Sequence, residues 1–221
     1  MRNVFFCICV CLLTACRSSP ETPKTEITSQ VRKAPSPESN SGPLIVAFGD
    51  SLTAGSGVAR DQSYPAELQR LLSRHFRSYR VVNAGIGGET TSEGLSRLQN
   101  ILDTRPRIVI LELGANDGLR GLPLREIQNN LDTIITRLKS AGIEVVLAGM
   151  WIPPNYGADY AQGFHQIYID LAKRRRVTLI PFFLENVAGK PELNLEDGIH
   201  PTPEGYRIVA KQVFEAIEPL L

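Results

Sequence analysis

From residue 44 onward, short apolar runs rich in branched side chains alternate with longer segments whose apolar residues recur at helical spacing. The runs are 44–48, 108–113 and 145–148, with shorter candidates at 81–82 and 177–180. A run that is apolar at nearly every position belongs to a strand covered on both faces. Between the runs, Leu68, Leu71 and Leu72 mark a helix face, as do Leu95, Leu98 and Leu102. The same spacing recurs in Ile127, Leu131, Ile134, Ile135 and Leu138, in Phe164, Ile167, Tyr168 and Leu171, and in Val209, Val213 and Ile217. This alternation predicts an α/β fold for residues 44–221: a three-layer α/β/α sandwich around a five-stranded parallel sheet, flavodoxin-like in kind. Punctuation agrees. Thr202-Pro203 reads as an N-cap followed by proline at the first helical position, and Gly142 stands where a C-terminal glycine is expected.

The first 43 residues read differently. Arg2, an apolar run over 4–13 and the small residues before Cys16 predict a signal peptide over 1–15, too short to span a bilayer. Its ending resembles a bacterial lipobox, which implies cleavage before Cys16 and lipidation of that cysteine. Residues 17–43 hold five Pro, six Ser and three Thr, and are too poor in large apolar groups to offset the entropy of ordering. Residues 16–43 are therefore expected to be a lipidated tether reaching about 30 Å as a flexible coil. The expected location is the bacterial envelope, on the periplasmic side of the outer membrane.

All four cysteines lie at or before Cys16, so the domain carries neither a disulfide framework nor a thiolate zinc site. Arg2 and the tether take five of the 24 basic and three of the 23 acidic residues, which leaves the domain at −1. No net positive field exists to hold nucleic acid or an anionic membrane, and attachment is assigned to the lipid alone. Lys173-Arg174-Arg175-Arg176 falls at a predicted helix end, where cations complement the dipole; a polyanion site is the weaker alternative. No Walker loop, HExxH pair or G-x-S-x-G elbow is present, and Thr90 breaks a dinucleotide fingerprint in the glycines at 85–88.

In open parallel sheets, ligands sit beyond the carboxyl ends of the strands. There the chain carries Gly49-Asp50-Ser51-Leu52, Gly85-Ile86-Gly87-Gly88, Gly114-Ala115-Asn116-Asp117 and, near its end, Asp197-Gly198-Ile199-His200. A serine hydroxyl needs a base to take its proton, and the base needs a third group to orient it. His200 is the best-placed base: one tight turn brings the Asp197 carboxylate to Nδ1 and leaves Nε2 for Ser51. His75 and His165 lie on predicted helix faces. The oxyanion of acyl transfer needs preorganised donors, which the amide of Asn116 and the backbone N–H groups of Ser51 and Gly88 can supply. Asp50, adjacent to Ser51, reads as a turn residue rather than the triad acid. Asp117 reads as a loop organiser that helps orient the neighbouring amide.

At these blocks the chain resembles the SGNH, or GDSL, hydrolase superfamily, over essentially all of 44–221. The stretch Glu112-Leu113-Gly114-Ala115-Asn116-Asp117-Gly118 and the segment Pro154-Asn155-Tyr156-Gly157 are similar to its bacterial thioesterase, lysophospholipase and arylesterase branch. The resemblance implies a cofactor-free, metal-free serine esterase with Ser51, Asp197 and His200 as catalytic triad and Ser51, Gly88 and Asn116 as oxyanion hole. Ala115 departs from the glycine common before that asparagine. The loop after the fourth strand, with Trp151, Ile152, Pro153 and Tyr156, is the candidate substrate-binding element for a small acyl ester, thioester or lysolipid. A monomer is expected. Competing readings are a cell-wall or carbohydrate O-acetylesterase on the same residues and a noncatalytic envelope lipoprotein.

Overall fold

A computed structural model of the chain describes residues 42–76 and 78–221. The signal segment, Cys16 and the tether up to residue 41 lie outside the described residues. The elements run β1 (Leu44–Gly49), α1 (Ser51–Ala54), α2 (Tyr64–His75), β2 (Arg80–Gly85), α3 (Thr91–Asp103), β3 (Ile108–Glu112) and α4 (Ala115–Leu119). They continue as α5 (Leu124–Ser140), β4 (Glu144–Ala148), α6 (Ala158–Arg175), β5 (Thr178–Ile180) and α7 (Pro203–Ile217). Every strand pair is parallel, in the order β2-β1-β3-β4-β5, so the predicted five-stranded parallel sheet is present. The order reverses between β1 and β3, and the crevice beyond their carboxyl ends is the natural ligand site.

Between their ends the central strands are apolar because helices cover both their faces. Ile45, Ile110, Leu111, Val146 and Leu147 are wholly buried. α2 packs on α7, while α3, α5 and α6 pack side by side, giving the two helical layers. Tyr64 of α2 meets Phe183 edge-on, with ring centroids 5.2 Å apart, and closes the first layer. β2 runs from Arg80 to Gly85, well beyond the pair at 81–82 that its sequence suggests. It is an edge strand, its outer residues are only partly covered, and Val82 is 39% exposed, so its apolar signal is diluted.

The expected punctuation holds. The Thr202 hydroxyl accepts from the Gly205 amide at 3.3 Å, Pro203 opens α7, and Gly142 takes φ +76° after α5.

Candidate active site

Four strand ends and one long loop build the site. β1 delivers Gly49 and Asp50 into α1, a four-residue helix that Ser51 opens and that Gly55 ends at φ +82°. Gly49 is required by packing: a Cβ there would lie 2.2 Å from Thr53 Oγ1 and 2.4 Å from the Glu112 carbonyl oxygen. The loop between β5 and α7 brings back Asp197 and His200. A bridge between Asn194 and Pro201 closes it, with the Leu195 amide donating to the His200 carbonyl at 2.8 Å. Gly198, at φ +69°, makes the tight turn between acid and base.

His200 Nε2 lies 2.9 Å from Ser51 Oγ, and His200 Nδ1 lies 2.7 Å from Asp197 Oδ2. The other carboxylate oxygen of Asp197 accepts from the amides of Ile199 at 2.8 Å and His200 at 2.9 Å. Hydrogen bonds from the His200 backbone and ring, then from the Ile199 amide, pull the Asp197 carboxyl down to about 2. It is therefore an anion at any pH of interest. An ionised Asp197 holds the proton on Nδ1, which leaves Nε2 as the acceptor facing the serine hydroxyl.

Opposite this line stand the candidate oxyanion donors. Gly88 sits at φ +77°, and its carbonyl is held by Arg120 Nη2 at 3.0 Å. Among the described residues the N–H groups of Ser51 and Gly88 donate to no protein acceptor. The Asn116 amide is different: Nδ2 donates to Asp50 Oδ2 at 3.0 Å and to the Glu89 carbonyl at 3.1 Å. Both of its protons are engaged before any substrate arrives. Asp50 also accepts from the Leu52 amide at 3.0 Å, capping α1. Its role is therefore wider than the turn residue expected from sequence, because it aims the Asn116 amide as well.

Asp117 does not perform that task. Its carboxylate accepts from Thr91 N at 2.9 Å and Thr91 Oγ1 at 2.6 Å, tying α4 to the start of α3. The expectation that Asp117 orients the neighbouring amide is corrected: Asp50, 66 residues away from Asn116 in sequence, does so.

Two further residues escaped the sequence reading. Glu112, at the end of β3, is 0% exposed beneath the turn that bears Ser51. Its Oε2 accepts from Thr53 Oγ1 at 2.6 Å, Thr53 N at 3.1 Å and Asp50 N at 3.3 Å. Its Oε1 is buried with no donor nearby. Burial, then the Asp50 charge, raises its carboxyl well above the usual range, and burial lifts Asp50 to about 6. Both shifts favour keeping one proton on this pair, and a proton on Glu112 Oε1 turns that oxygen from an acceptor without a donor into a donor toward Asp50. Arg97 is the second. Its guanidinium pairs with Glu89, donates to the carbonyls of Ala84 at 2.8 Å and Gly49 at 3.3 Å, and lies 4.5 Å over the Phe48 ring. It ties the ends of β1 and β2 to the loop that bears Gly88.

The loop after β4 divides its residues. Trp151 and Tyr156 are about half exposed and Pro153 is exposed, whereas Ile152 is 7% exposed and belongs to the core beside Gly118. Trp151 stacks on His165 of α6 with centroids 3.8 Å apart and planes 20° apart, and His165 Nδ1 lies 3.1 Å from the Met150 carbonyl oxygen. His165 is thus a helix-face residue with a specific task, holding the indole. Tyr156 meets Tyr160 edge-on at 5.6 Å. Among the described residues no cluster of His, Cys, Asp or Glu has the arrangement of a metal site.

The GDSL-like Lipase/Acylhydrolase family matches residues 47–208, most of the described chain. An arylesterase of Vibrio mimicus is 42% identical over 78% of this chain and 87% of its own. The thioesterase 1/protease 1/lysophospholipase L1 of Escherichia coli K12 is 38% identical over 80% of this chain and 84% of its own. The crystal structure of TesA superimposes with a TM-score of 0.77 at 39% identity, over 81% of this chain and 99% of that one. A solved relative thus consists of almost nothing but the domain described here. The strand order, the Gly-Asp-Ser-Leu block and these likenesses agree: the chain belongs to the GDSL-like lipase/acylhydrolase family, and it is a serine ester hydrolase.

Proposed function

We propose that Ser51 is the nucleophile, His200 its general base and then acid, and Asp197 the group that orients the imidazole. The observation that carries this reading is the continuous hydrogen-bonded line from Asp197 Oδ2 through His200 to Ser51 Oγ, with steps of 2.7 and 2.9 Å. Ser51 attacks an acyl carbonyl, His200 takes the hydroxyl proton and returns it to the departing alcohol or thiol, and water then releases the acyl group. The amides of Ser51 and Gly88 are the ready oxyanion donors. Asn116 completes the hole by sharing one of its protons between its present acceptor and the new oxyanion.

The substrates are small acyl esters, thioesters or lysolipids, the classes on which the relatives' names bear. Exposed Trp151 and Tyr156 favour aryl or longer acyl groups over acetyl alone, since both offer broad apolar faces near the strand ends. Pro153 borders them, and Ile152 supports the loop from the core.

The amino-terminal features support an envelope location: a signal peptide over 1–15, lipidation of Cys16, and a tether to 43 that places the enzyme on the periplasmic face of the outer membrane. The enzyme works there as a monomer.

The decisive experiment treats the enzyme and its Ser51→Ala variant with a fluorophosphonate and with acetyl, aryl and long-chain acyl esters. The expected result is one labelled serine and turnover in the parent, neither in the variant, and unchanged circular dichroism. Retained labelling in the variant overturns the nucleophile assignment. A strict preference for acetyl esters overturns the substrate class.

A further inference from the structure

A domain with a net charge of −1 gives no reason to expect attraction to an anionic surface, yet the fold does not distribute its charges evenly. In a parallel sheet all strands begin at one end, and the helices that precede them finish there. At that end Arg137 and Lys139 close α5, Lys173 and Arg174 close α6, Arg176 follows it, and Arg105 precedes β3; all are exposed. Among the described residues none of these is ion-paired. Arg175 is neutralised by Asp132, and the exposed acids at this end include Asp103, Glu144 and Glu218, the last standing two residues before Leu220, whose carbonyl accepts from Arg107. At the catalytic end exposed Asp159, Glu196 and Asp197 stand together with exposed Arg120, and Glu89 is neutralised by Arg97.

Helix dipoles favour cations in last turns, but Arg105 lies in no helix and Arg176 lies past the end of α6. Their common feature is the end of the sheet they occupy. Lys139 Nζ reaches the Arg175 and Arg176 carbonyls, the latter at 3.3 Å, which draws the ends of α5 and α6 together. Between them lies a concavity of about 440 Å³, lined by Thr136, Lys139, Ser140 and Arg174 to Arg176. It offers cations and hydroxyls together, the chemistry that takes a phosphate diester.

The chain also enters the domain at this end. Leu44 opens β1 beside Arg80, the first residue of β2, and its carbonyl accepts from the Arg107 amide at 2.8 Å. We propose that this end of the domain, centred on Lys139, Arg174 and Arg176, docks on an anionic phospholipid surface and holds the catalytic mouth away from it. The inference is independent of the catalytic assignment and of lipidation.

The chain supplies its own orientation reporter. Trp151 is its one tryptophan, it is 49% exposed, and it sits at the catalytic end. The test uses residues 42–221, the unit to which the solved relative corresponds, with phosphatidylcholine vesicles containing either no anionic lipid or roughly one-third phosphatidylglycerol. The expected result is sedimentation with the anionic vesicles only, weakened by added salt, with Trp151 emission unmoved and still open to an aqueous quencher. Replacing Lys139, Arg174 and Arg176 by alanine should lower the partition by about five-fold per cation and leave turnover of a soluble ester unchanged. Equal binding to neutral vesicles, a blue shift of Trp151 on binding, or a triple variant that binds like the parent would each overturn the proposal. So would full displacement by inorganic phosphate at matched ionic strength, because a free-phosphate site and not a lipid surface would then be present.

Discussion

Glu112 is the residue whose replacement most directly tests how the nucleophile is held. Glu112→Ala removes the acceptor shared by Asp50 N, Thr53 N and Thr53 Oγ1, on residues that are 1% and 0% exposed. The hydroxyl has an alternative partner, Tyr64 Oη at 3.5 Å, so two amides are left without one. At about 1–3 kcal/mol for each unpaired buried donor, the loss is about 2–6 kcal/mol before any cavity is counted. That is a large part of a typical total of about 5–15 kcal/mol. Glu112→Gln separates the hydrogen bonds from the acid. Its carbonyl oxygen accepts from the same donors and one amide proton faces Asp50. The second amide proton is left unpaired, at about 1–3 kcal/mol. The assay is a urea midpoint for each variant, with kcat and KM on an aryl ester. Glu112→Ala should fold poorly or not at all, whereas Glu112→Gln should fold with kcat within about tenfold of the parent and KM unchanged. An alanine variant within about 0.5 kcal/mol of the parent would refute the reasoning. A glutamine variant as damaged as the alanine one would show that the proton, and not the acceptor, is what matters.

Four other predictions rest on the same geometry. Asn116→Ala should lower kcat by about 10²–10³ and also remove the Asn116 donor to Asp50 Oδ2, so its urea midpoint should fall as well; an unchanged rate under saturating ester excludes the amide from the oxyanion hole. Asp197, held down to about 2, stays ionised throughout mild acidification, so Asp197→Asn, which removes that charge from beside Nδ1, should lower kcat by about 10⁴ across mildly acidic to neutral pH, and a variant with the parent's kcat would argue against the orienting role. For stability the signs differ: the Asp197 contribution is present above its ordinary value and lost as pH falls through about 2, while that of Asp50, raised to about 6, is full below its ordinary value of 3.8 and lost as pH rises through about 6. Asp50→Asn should therefore flatten the decline in urea midpoint across the Asp50 window. Finally, Gly49→Ala, whose Cβ would meet Thr53 Oγ1 at 2.2 Å, should abolish soluble expression or activity, whereas Gly142→Ala meets nothing within 4 Å and should lower Tm by only a few degrees through strain at φ +76°.

The central strands were legible because burial on both faces leaves an unbroken apolar run, as in 108–111 of β3. The edge strands were not. β2 bears Asn83 and a half-exposed Val82, and β5 has only three residues, so neither writes its full length in hydrophobicity. Asp197 and His200 were readable as a pair because one loop of local sequence brings them together. Asp50 to Asn116 was not, because that bond joins two strand ends far apart in sequence and depends on β1 lying next to β3. Glu112 had a signal that could have been used: it is an acid directly continuing a run covered on both faces, where a lone charge has no water to face. At the end of a strand, however, the same residue type is ordinarily solvated. Ile152 shows the reverse error, since its apolar neighbours suggest a lining residue and the chain instead turns it inward.

The closed loop that carries Asp197 and His200 has a mechanical consequence. Its neck is tied between Asn194 and Pro201, and acid and imidazole are bonded to each other inside it, so the pair travels as a single rigid part. Ser51 is mounted on different scaffolding, just past the carboxyl end of the first strand. A displacement of the loop as a unit would alter one gap, between ring and hydroxyl, and leave the bond between Asp197 and the ring in place. An opened molecule would keep a primed base and regain competence simply by settling back, with no proton needing to be rearranged.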